Sequence, residues 1–418
     1  MAAIILSLTL LSLVIWLFLL LFWGQFWRVN HQLEANKDQY VDINTLPTVC
    51  VVIPARNEAD VIPFSLRSLL LQDYTGNFTI FLVDDQSSDG TANFAQGVAY
   101  ALDKTQQLHI VPSDPLPRGW TGKLWAMEQG IQTASELKPD YYLLTDADIE
   151  HDPSNLHRLV TKAESQNLDL VSIMVRLRCQ SFWEQLLIPA FVFYFQKLYP
   201  FSWVNNPKKA IAAAAGGCIL IRREALNRIG GLQIIRQALI DDCSLAKAVK
   251  STNGKIWLGL STLTHSLRPY NSLKTIWDMV ARTAYTQLNY SPLLLLGSLL
   301  GMTLVYLIPP LAIILGLVFG NWTIILAASI TYLLMTFAYF PIIRFYRCSP
   351  AFAFSLPIIA FLYTSMTIDS ALRHWQGKGG LWKGRTYVKQ GRKEAEEKLA
   401  DFLLPTSHQA RVYPVDNK

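Results

Sequence analysis

The chain has 418 residues, of which 51% are apolar and only 16% are charged. This balance is unusual for a soluble enzyme and indicates that part of the chain resides in a membrane. The five cysteines lack metal-binding spacing, which argues against a disulfide framework or a zinc site, and the net charge of +6 arises in one C-terminal stretch rather than in a nucleic-acid-binding surface.

The first predicted element is an apolar helix from Ile4 to Trp23. Its uncharged run of about 20 residues is long enough to cross a bilayer. No Lys or Arg precedes the run and no small-residue cleavage site follows it, so we predict an uncleaved anchor over residues 1–27 rather than a signal peptide. The first charge, Arg28, lies on its C-terminal side, which predicts a cytoplasmic domain after the anchor.

Residues 44–290 alternate between strand and helix patterns, which is typical of an α/β domain with a mainly parallel sheet. The predicted strands are Cys50–Pro54, Phe78–Val83, Leu108–Val111 and Tyr141–Leu144. The predicted helices between them are Glu58–Gln72, Thr91–Ala101 and Leu124–Glu136. Because the carboxyl ends of parallel strands meet at one sheet edge, polar residues after these strands are expected to share a site.

The first acidic cluster follows the second predicted strand. Asp84 and Asp85 stand at the strand end, and either Asp89 or Thr91 is expected to cap the next helix. A cap does not require two consecutive carboxylates, which repel each other and need a partner. We interpret Asp84 and Asp85 as groups that accept hydrogen bonds from a nucleoside N–H or a ribose hydroxyl.

Other residues are candidates for the same nucleotide pocket. Pro54, Arg56 and Glu58 lie at and just past the end of the first predicted strand. Lys123 opens a predicted helix and could neutralise phosphate charge. A solvated surface lysine is an equally good interpretation of Lys123.

The second acidic cluster follows the fourth predicted strand. Asp146 and Asp148 are alternate residues, so on extended backbone both side chains can approach one cation that bridges a diphosphate. Hard cations prefer carboxylate oxygens, so we predict Mg²⁺ or Mn²⁺ held by Asp148 with help from Asp146. Such a pair occurs often by chance, but its position after an apolar strand favours a metal-binding site.

Two further motifs lie later in the domain. Gly216 and Gly217 form either a simple turn or a floor beneath a sugar, where the backbone approaches closely. Asp241 and Asp242 precede a predicted helix from Ser244 to Val249, and Asp241 can serve as its N-cap. We interpret Asp242 as a general base that takes a proton from an acceptor hydroxyl.

Arg282 lies shortly before the second apolar block. A cation there would stabilise the charge on a leaving diphosphate, and interfacial snorkelling is the alternative. A C-terminal membrane region, residues 292–369, is predicted to contain two spans, Pro292–Phe319 and Thr323–Ile343, and a shorter stretch, Ala351–Thr367.

Whether the shorter stretch crosses the membrane decides on which side of the membrane the C-terminal tail lies. Residues 370–418 form a tail in which Ser370–Lys393 has seven Lys or Arg and no acid, so we predict a cytoplasmic segment that faces anionic headgroups. A third full span would put this tail outside, against the positive-inside rule. We therefore favour a re-entrant or interfacial segment, and a hairpin at Pro309–Pro310 is the alternative. Trp382–Arg385 is interpreted as an interfacial anchor.

Together these residues resemble an inverting family 2 glycosyltransferase of the GT-A fold, a Rossmann-like α/β domain. The resemblance covers about Thr48 to Tyr290. It rests on four motifs in order, which are Val52–Glu58, Asp84–Asp85, Asp146–Asp148 and Asp242. The resemblance implies that these are the opening strand and loop, the nucleotide-binding acids, the metal-binding acids and the catalytic base.

Pro117–Lys123, Leu267–Tyr270 and the terminal membrane segments are similar to bacterial hopene-associated glycosyltransferases and, more distantly, to ceramide glucosyltransferases. This resemblance implies an integral protein of the bacterial inner membrane with a cytoplasmic catalytic domain. Processive synthases of the superfamily carry a QxxRW motif, of which only Arg282 remains here.

We therefore predict transfer of a single sugar from a nucleotide-diphosphate sugar, expected to be a UDP-sugar, to a lipid hydroxyl with inversion. The alternatives are a processive polysaccharide synthase, a nucleotidyltransferase that makes the activated sugar, and a catalytically silent membrane scaffold.

Overall fold

The computed structural model describes residues 2–35 and 46–377, together with the backbone of residues 381–382 and 385–386. Eight strands form the main sheet: β1 Val49–Ala55, β2 Phe78–Asp84, β3 Leu108–Pro112, β4 Tyr141–Thr145, β5 Ile149–Glu150, β6 Leu170–Arg176, β7 Cys218–Arg222 and β8 Ile256–Ser266. The helices of the domain are α2 Ile62–Leu70, α3 Thr91–Ala101, α4 Gly122–Ala134, α5 Asn155–Ser165, α6 Phe182–Leu198, α7 Phe201–Val204, α8 Arg223–Arg228, α9 Asp241–Ser251, α10 Leu273–Ala281 and α11 Ala284–Gln287. The apolar helices are α1 Ala2–Phe22, α12 Pro292–Met302, α13 Ile308–Val318, α14 Trp322–Phe345 and α15 Leu356–Trp375.

The sheet order is β3-β2-β1-β4-β7-β6-β8-β5. Parallel pairing joins β3, β2, β1 and β4, whereas β7 runs antiparallel between β4 and β6, and β5 pairs antiparallel with β8. The sheet is therefore mixed but mainly parallel, as predicted. The carboxyl ends of β1, β2 and β4 lie at one edge, because Val49 is opposite both Phe78 and Tyr141.

The four predicted strands are confirmed to within one or two residues at each end. The first predicted helix is shorter than expected, because residues 56–61 form a turn and α2 begins next to Pro63. The helix after Ile240 begins earlier than predicted, so Asp241 and Asp242 lie in its first turn and Ile240, rather than Asp241, is the N-cap. Gly90 is the N-cap residue of α3, while Asp89 accepts hydrogen bonds from the N–H and hydroxyl of Thr91.

Apolar residues cover both faces of the sheet. One face packs against α2, α3 and α5, and the other packs against α4, α6 and α9. Gly130 on α4 allows the close approach to the sheet, since a Cβ there would lie 2.5 Å from Cγ1 of Val52 and 2.8 Å from Cγ2 of Val83. Burial of these apolar side chains supplies the main stabilisation of the domain.

Within the described part of the chain, four helices are long and apolar enough to cross a membrane: Ala2–Phe22, Pro292–Val318, Trp322–Phe345 and Pro350–Trp375. The second runs through a π-helical turn, Thr303–Leu307, and continues past Pro309 as α13. The indole N–H of Trp16 on α1 donates to the Val305 carbonyl inside this turn at 2.9 Å. The proline pair therefore ends no helix here, and the block is continuous from residue 292 to residue 318.

The last of these helices contacts the α/β domain at both ends. The ring of Phe352, just before α15, lies 6.2 Å from that of Phe182 on α6. At the other end, Asp369 accepts a hydrogen bond from the Trp277 indole at 2.6 Å, and Arg373 forms an ion pair with Asp278 of α10 at 2.8 Å. The predicted tail after residue 377 and the Trp382–Arg385 anchor lie outside the described residues, apart from the backbone of four residues.

Candidate active site

The loops after β1 and β2 form one hydrogen-bonded unit at the sheet edge. The N–H of Asn57 donates to the Ser87 hydroxyl at 3.0 Å, and the N–H of Ala59 donates to Asp89 at 3.0 Å. The N–H of Glu58 donates to the Thr91 hydroxyl at 2.9 Å. The polar residues after Asp85 thus hold the loop that carries Arg56 and Glu58.

Asp84 and Asp85 have different environments within this unit. Asp84 is half-buried and accepts a hydrogen bond from the Ser87 N–H at 3.1 Å. Asp85 is buried, its N–H donates to the Ala55 carbonyl at 2.8 Å, and its carbonyl accepts from Arg56 at 2.6 Å. The Arg56 guanidinium also lies 3.8 Å from the Asp85 carboxylate. Asp84 is therefore the more accessible acid for a ligand.

Lys123 links two of the acidic motifs. Its Nζ lies 2.8 Å from Asp146 and 3.3 Å from Asp241, at the first turns of α4 and α9. Burial raises the pKa of Asp146, Lys123 lowers it, and the Asp148 carboxylate raises it again. The interpretation of Lys123 as a solvated lysine is therefore wrong, because its side chain is only 19% exposed and pairs with two acids.

Asp148 faces a second cation that the sequence interpretation did not include. Nε of Arg268 lies 3.0 Å from Asp148, and Nη2 of the same residue lies 2.9 and 2.8 Å from the two oxygens of Glu58. Ser266 adds a hydrogen bond to Asp148 at 3.4 Å. Arg268 thus joins the loop after β1 to the loop after β4. The Leu267–Tyr270 motif was the only sequence signal for it.

Asp242 lies beside the Lys123 cluster. Its Oδ2 accepts from the Gly216 N–H at 2.8 Å, and its Oδ1 accepts from the Cys243 N–H at 2.7 Å. Burial and the Asp241 carboxylate raise the pKa of Asp242 to about 6, while Lys123 and the two N–H donors lower it. A carboxylate with such a pKa is ionised at neutral pH and more basic than an ordinary aspartate.

The two glycines have separate reasons to be small. A Cβ on Gly216 would lie 3.3 Å from Nζ of Lys123 and 3.4 Å from Oδ2 of Asp242. A Cβ on Gly217 would instead lie 3.1 Å from Cγ2 of Val175. The Gly217 carbonyl accepts a hydrogen bond from the Thr145 hydroxyl at 2.8 Å. Gly216 therefore borders the charged groups, whereas Gly217 serves the packing of the sheet.

A buried histidine supports the end of β4. Nε2 of His151 lies 3.0 Å from the Thr145 hydroxyl, and Nδ1 lies 2.9 Å from the Asn155 amide. Burial lowers the pKa of His151 to about 3, so the ring is neutral. Its sequence position gave no signal, because a lone histidine is not a motif.

Arg282 is exposed and lies one residue past α10. The Tyr270 hydroxyl is influenced both by Arg282 and by the acidic cluster. Burial and Asp148 raise the pKa of this hydroxyl, and Arg268 and Arg282 lower it. The N–H of Tyr270 donates to Glu184 at 2.8 Å, and Glu184 also caps α6. Pro54, in contrast, is a buried residue inside β1, opposite Val83.

Asp146 and Asp148, which follow β4, carry the carboxylate oxygens that hard divalent cations prefer. No group of three or more His, Cys, Asp or Glu residues able to hold a metal occurs among the described residues. Mg²⁺, however, commonly takes only one or two protein carboxylates and completes its shell with phosphate oxygens and water. Asp146 and Asp148 could supply those carboxylates, although each is paired with a basic side chain here.

The α/β domain matches a known family. Residues 50–230 fit the family model described as glycosyl transferase family 2. Residues 50–230 are therefore similar to family 2 glycosyl transferases, and the α/β domain has the predicted GT-A fold. The match ends before Asp242, Arg268 and Arg282.

Curated relatives match only part of the chain. An N-acetylglucosaminyltransferase from Rhizobium leguminosarum bv. viciae is 31% identical over 123 residues, which are 29% of this chain and 27% of the relative. An undecaprenyl-phosphate mannosyltransferase from Micrococcus luteus is 30% identical over 121 residues, which are 29% of this chain and 46% of the relative. The chain thus spans less than half the length of either relative.

A solved structure resembles nearly the whole chain. It is a mannosyltransferase from Pyrobaculum calidifontis in complex with GDP-Man and Mn²⁺. The match has a TM-score of 0.51 and 18% identity, and it covers 92% of this chain and 99% of that one. This similarity concerns the fold, which includes the terminal helices as well as the α/β domain. The resemblance to hopene-associated or ceramide glucosyltransferases stays a prediction.

Proposed function

We propose that this chain transfers a single sugar from a nucleotide-diphosphate sugar to a lipid hydroxyl, with inversion at the anomeric carbon. The observation that carries the proposal is the position of Asp242. Its carboxylate accepts hydrogen bonds from Gly216 and Cys243 and lies beside the Lys123–Asp146 ion pair. A base with a pKa of about 6 next to the strand-end acids suits proton removal from a hydroxyl.

The donor is proposed to bind along the carboxyl edge of β1, β2 and β4. Asp84, the more accessible of the two acids after β2, would accept hydrogen bonds from the nucleoside, and Arg56 would hold Asp85 and its loop in place. The diphosphate would lie toward Lys123 and Arg268, whose cations offset phosphate charge. Gly216 leaves room beside Lys123 for the sugar.

In the chemical step, Asp242 takes the proton of the acceptor hydroxyl. The oxygen attacks the anomeric carbon from the face opposite the diphosphate, the new C–O bond forms, and the bond to the leaving diphosphate breaks. Lys123, Arg268 and Arg282 are the cations that would stabilise the charge on the leaving group. A Mg²⁺ or Mn²⁺ on Asp148 and Asp146, when bound, would add Lewis-acid stabilisation of the same charge.

A series of contacts that leads from the base toward the first residues of an apolar helix supports a lipid acceptor. Cys243, next to Asp242, and the Tyr199 hydroxyl at the end of α6 are close enough that each shifts the pKa of the other. Tyr199 in turn accepts a hydrogen bond from Gln287 in α11. Gln287 precedes the apolar helix that begins at Pro292 by only a few residues. An acceptor anchored in the bilayer would therefore need only a short reach to the base.

We also propose that the catalytic domain faces the cytoplasm of a bacterial inner membrane. Arg28 follows α1, and Arg344 and Arg347 lie at the end of α14, so the basic residues are on the domain side. With both of its ends on the domain, α15 would act as the re-entrant or interfacial segment. This arrangement keeps the basic tail on the cytoplasmic side.

A lipid phosphate is the second candidate acceptor, favoured by the similarity to the undecaprenyl-phosphate mannosyltransferase. A phosphate is already ionised near neutral pH and does not need a base. The base-like environment of Asp242 therefore favours a hydroxyl. The products also differ chemically, because a glycosyl phosphate is cleaved by mild acid and a simple glycoside is not.

The test uses the detergent-purified full chain with Mn²⁺, radiolabelled UDP- and GDP-sugars, and the total lipid extract of the native host. A single labelled lipid in the organic phase is the expected result, and its stability to mild acid would assign a hydroxyl acceptor. Label in a polymer would identify a processive synthase, and release of pyrophosphate a nucleotidyltransferase. Absence of transfer with donor binding retained would support a silent scaffold.

The matched control pair is Asp242→Asn and Asp241→Asn. Both remove one carboxylate from the first turn of α9, but only Asp242 has the two N–H donors that orient a base. We expect Asp242→Asn to abolish transfer and Asp241→Asn to retain more of it. Equal losses in the two variants would show that charge balance around Lys123, rather than a base, explains the effect.

A further inference from the structure

A basic pocket lies between the membrane helices and the α/β domain, apart from the acidic centre. It has a volume of about 700 Å³ and opens where α1 and α14 end. Its lining includes Trp27, Arg28, Thr262, Arg344, Phe345 and Arg347. The proposed catalytic steps use none of these residues.

Among residues 2–35 and 46–377, the three arginines of this pocket have no acidic partner. Arg28, Arg344 and Arg347 are exposed, and none forms an ion pair with an acid in residues 2–35 or 46–377. The nearby carboxylate of Glu34 instead accepts hydrogen bonds from the Ser261 hydroxyl and from the Thr262 N–H at 3.2 Å. Three like charges around one cavity repel each other, and an anion would relieve that repulsion.

The pocket lies at the level where two candidate spanning helices reach the domain. Trp27 packs against Phe337 of α14 with 5.1 Å between the rings, and its indole N–H donates to the Leu20 carbonyl at 3.1 Å. The guanidinium of Arg28 lies 5.1 Å from the centre of the Trp27 ring. Tryptophan and arginine side by side are typical of the headgroup layer of a membrane.

We propose that this pocket binds the phosphate-bearing headgroup of an anionic phospholipid from the leaflet next to the catalytic domain. Arginine guanidinium groups match phosphate oxygens in geometry and charge, and Trp27 and Phe345 offer apolar surface to the glycerol and upper acyl chain. The volume lies in the range of ordinary small-ligand pockets. The bound headgroup would tie the ends of α1 and α14 to β8 and so set the height of the domain above the bilayer.

The experiment measures lipid retention by native mass spectrometry of the full chain in detergent, with phosphatidylglycerol or phosphatidylcholine added. We expect wild type to retain phosphatidylglycerol preferentially and the double variant Arg344→Gln, Arg347→Gln to lose about 30-fold in affinity, since each basic residue near the surface contributes about a factor of five. The control Arg67→Gln removes one exposed charge from α2 and should change nothing. The basic tail is present in every variant, so it cannot produce the difference.

Two further arms make the outcome decisive. The double variant Arg344→Lys, Arg347→Lys keeps the charge and should retain most of the binding, and Arg28→Gln gives an independent loss if the first variant fails to fold. Inorganic phosphate at millimolar concentration should not displace the lipid if the acyl chain contributes. Equal retention of the two lipids by wild type, or an unchanged preference in both glutamine variants, would refute the proposal, and displacement by phosphate would identify a soluble anion as the ligand.

Discussion

Replacing Lys123 by methionine should move the acid limb of the pH–rate profile to higher pH. Burial and Asp241 raise the pKa of Asp242 to about 6 in the native protein, and the Lys123 cation opposes this rise. A carboxylate base works only when ionised, so kcat/KM falls as the pH drops through that pKa. Removal of the cation takes stabilisation from the ionised form, and the pKa of Asp242 must rise.

The size of the pKa shift depends on the distance between Lys123 and Asp242, and Gly216, which lies between them, sets an upper limit on that distance. A Cβ on this residue would lie 3.3 Å from Nζ of Lys123 and 3.4 Å from Oδ2 of Asp242, so the two charges are within about 7 Å of each other. At an effective dielectric constant of about 20, such a pair interacts by about 2 kcal/mol, or roughly 1.5 pKa units. The acid limb is therefore expected to move from about 6 to about 7.5.

The assay measures kcat/KM for the acceptor at saturating donor between about pH 5 and pH 9, and the acid limb of this profile reports the pKa of the base in the donor-bound enzyme. The matched control is Lys123→Arg, which keeps the charge and should leave the limb near its native position. An active Lys123→Met enzyme whose limb stays at the native pH would refute the reasoning. Either Asp242 would not be the titrating base, or the Lys123 charge would not reach it.

Three other predictions concern the base, the metal and the packing of the sheet. Asp242→Asn should lower kcat by about 10²–10⁴-fold, since general-base catalysis typically contributes that much. Donor affinity measured by calorimetry should not change. A variant that keeps a tenth of native turnover would contradict the assignment. Asp148→Ala should remove the Mn²⁺-dependent part of donor binding. If the native protein bound the donor equally well with and without Mn²⁺, the metal role would be excluded. Gly130→Ala should destabilise the fold by about 1–3 kcal/mol in thermal unfolding because its Cβ would lie 2.5 Å from Val52, whereas Gly97→Ala, whose Cβ meets nothing within 4 Å, should be neutral or stabilising.

The sequence alone was sufficient for the local elements and for most of the acids at the sheet edge. β1, β2, β3 and β4 are short apolar runs bounded by turn residues, and such patterns depend on neighbours in the chain. Asp84 and Asp146 were found as candidates because strand ends of a parallel sheet meet at one edge. The apolar helices were found for the same local reason, since their length and composition are readable residue by residue.

Only the tertiary structure decided which charges meet. Arg268 binds Asp148 from 120 residues away and Glu58 from 210 residues away, and Lys123 joins Asp146 to Asp241. These pairs depend on the sheet order, in which β8 lies beyond β6 and β7 runs antiparallel beside β4. The same is true of the contacts at both ends of α15. Hydrophobic periodicity specifies which residues are buried along one element, but it does not specify the order of strands or the partners that distant loops meet, and those set the pKa of Asp242.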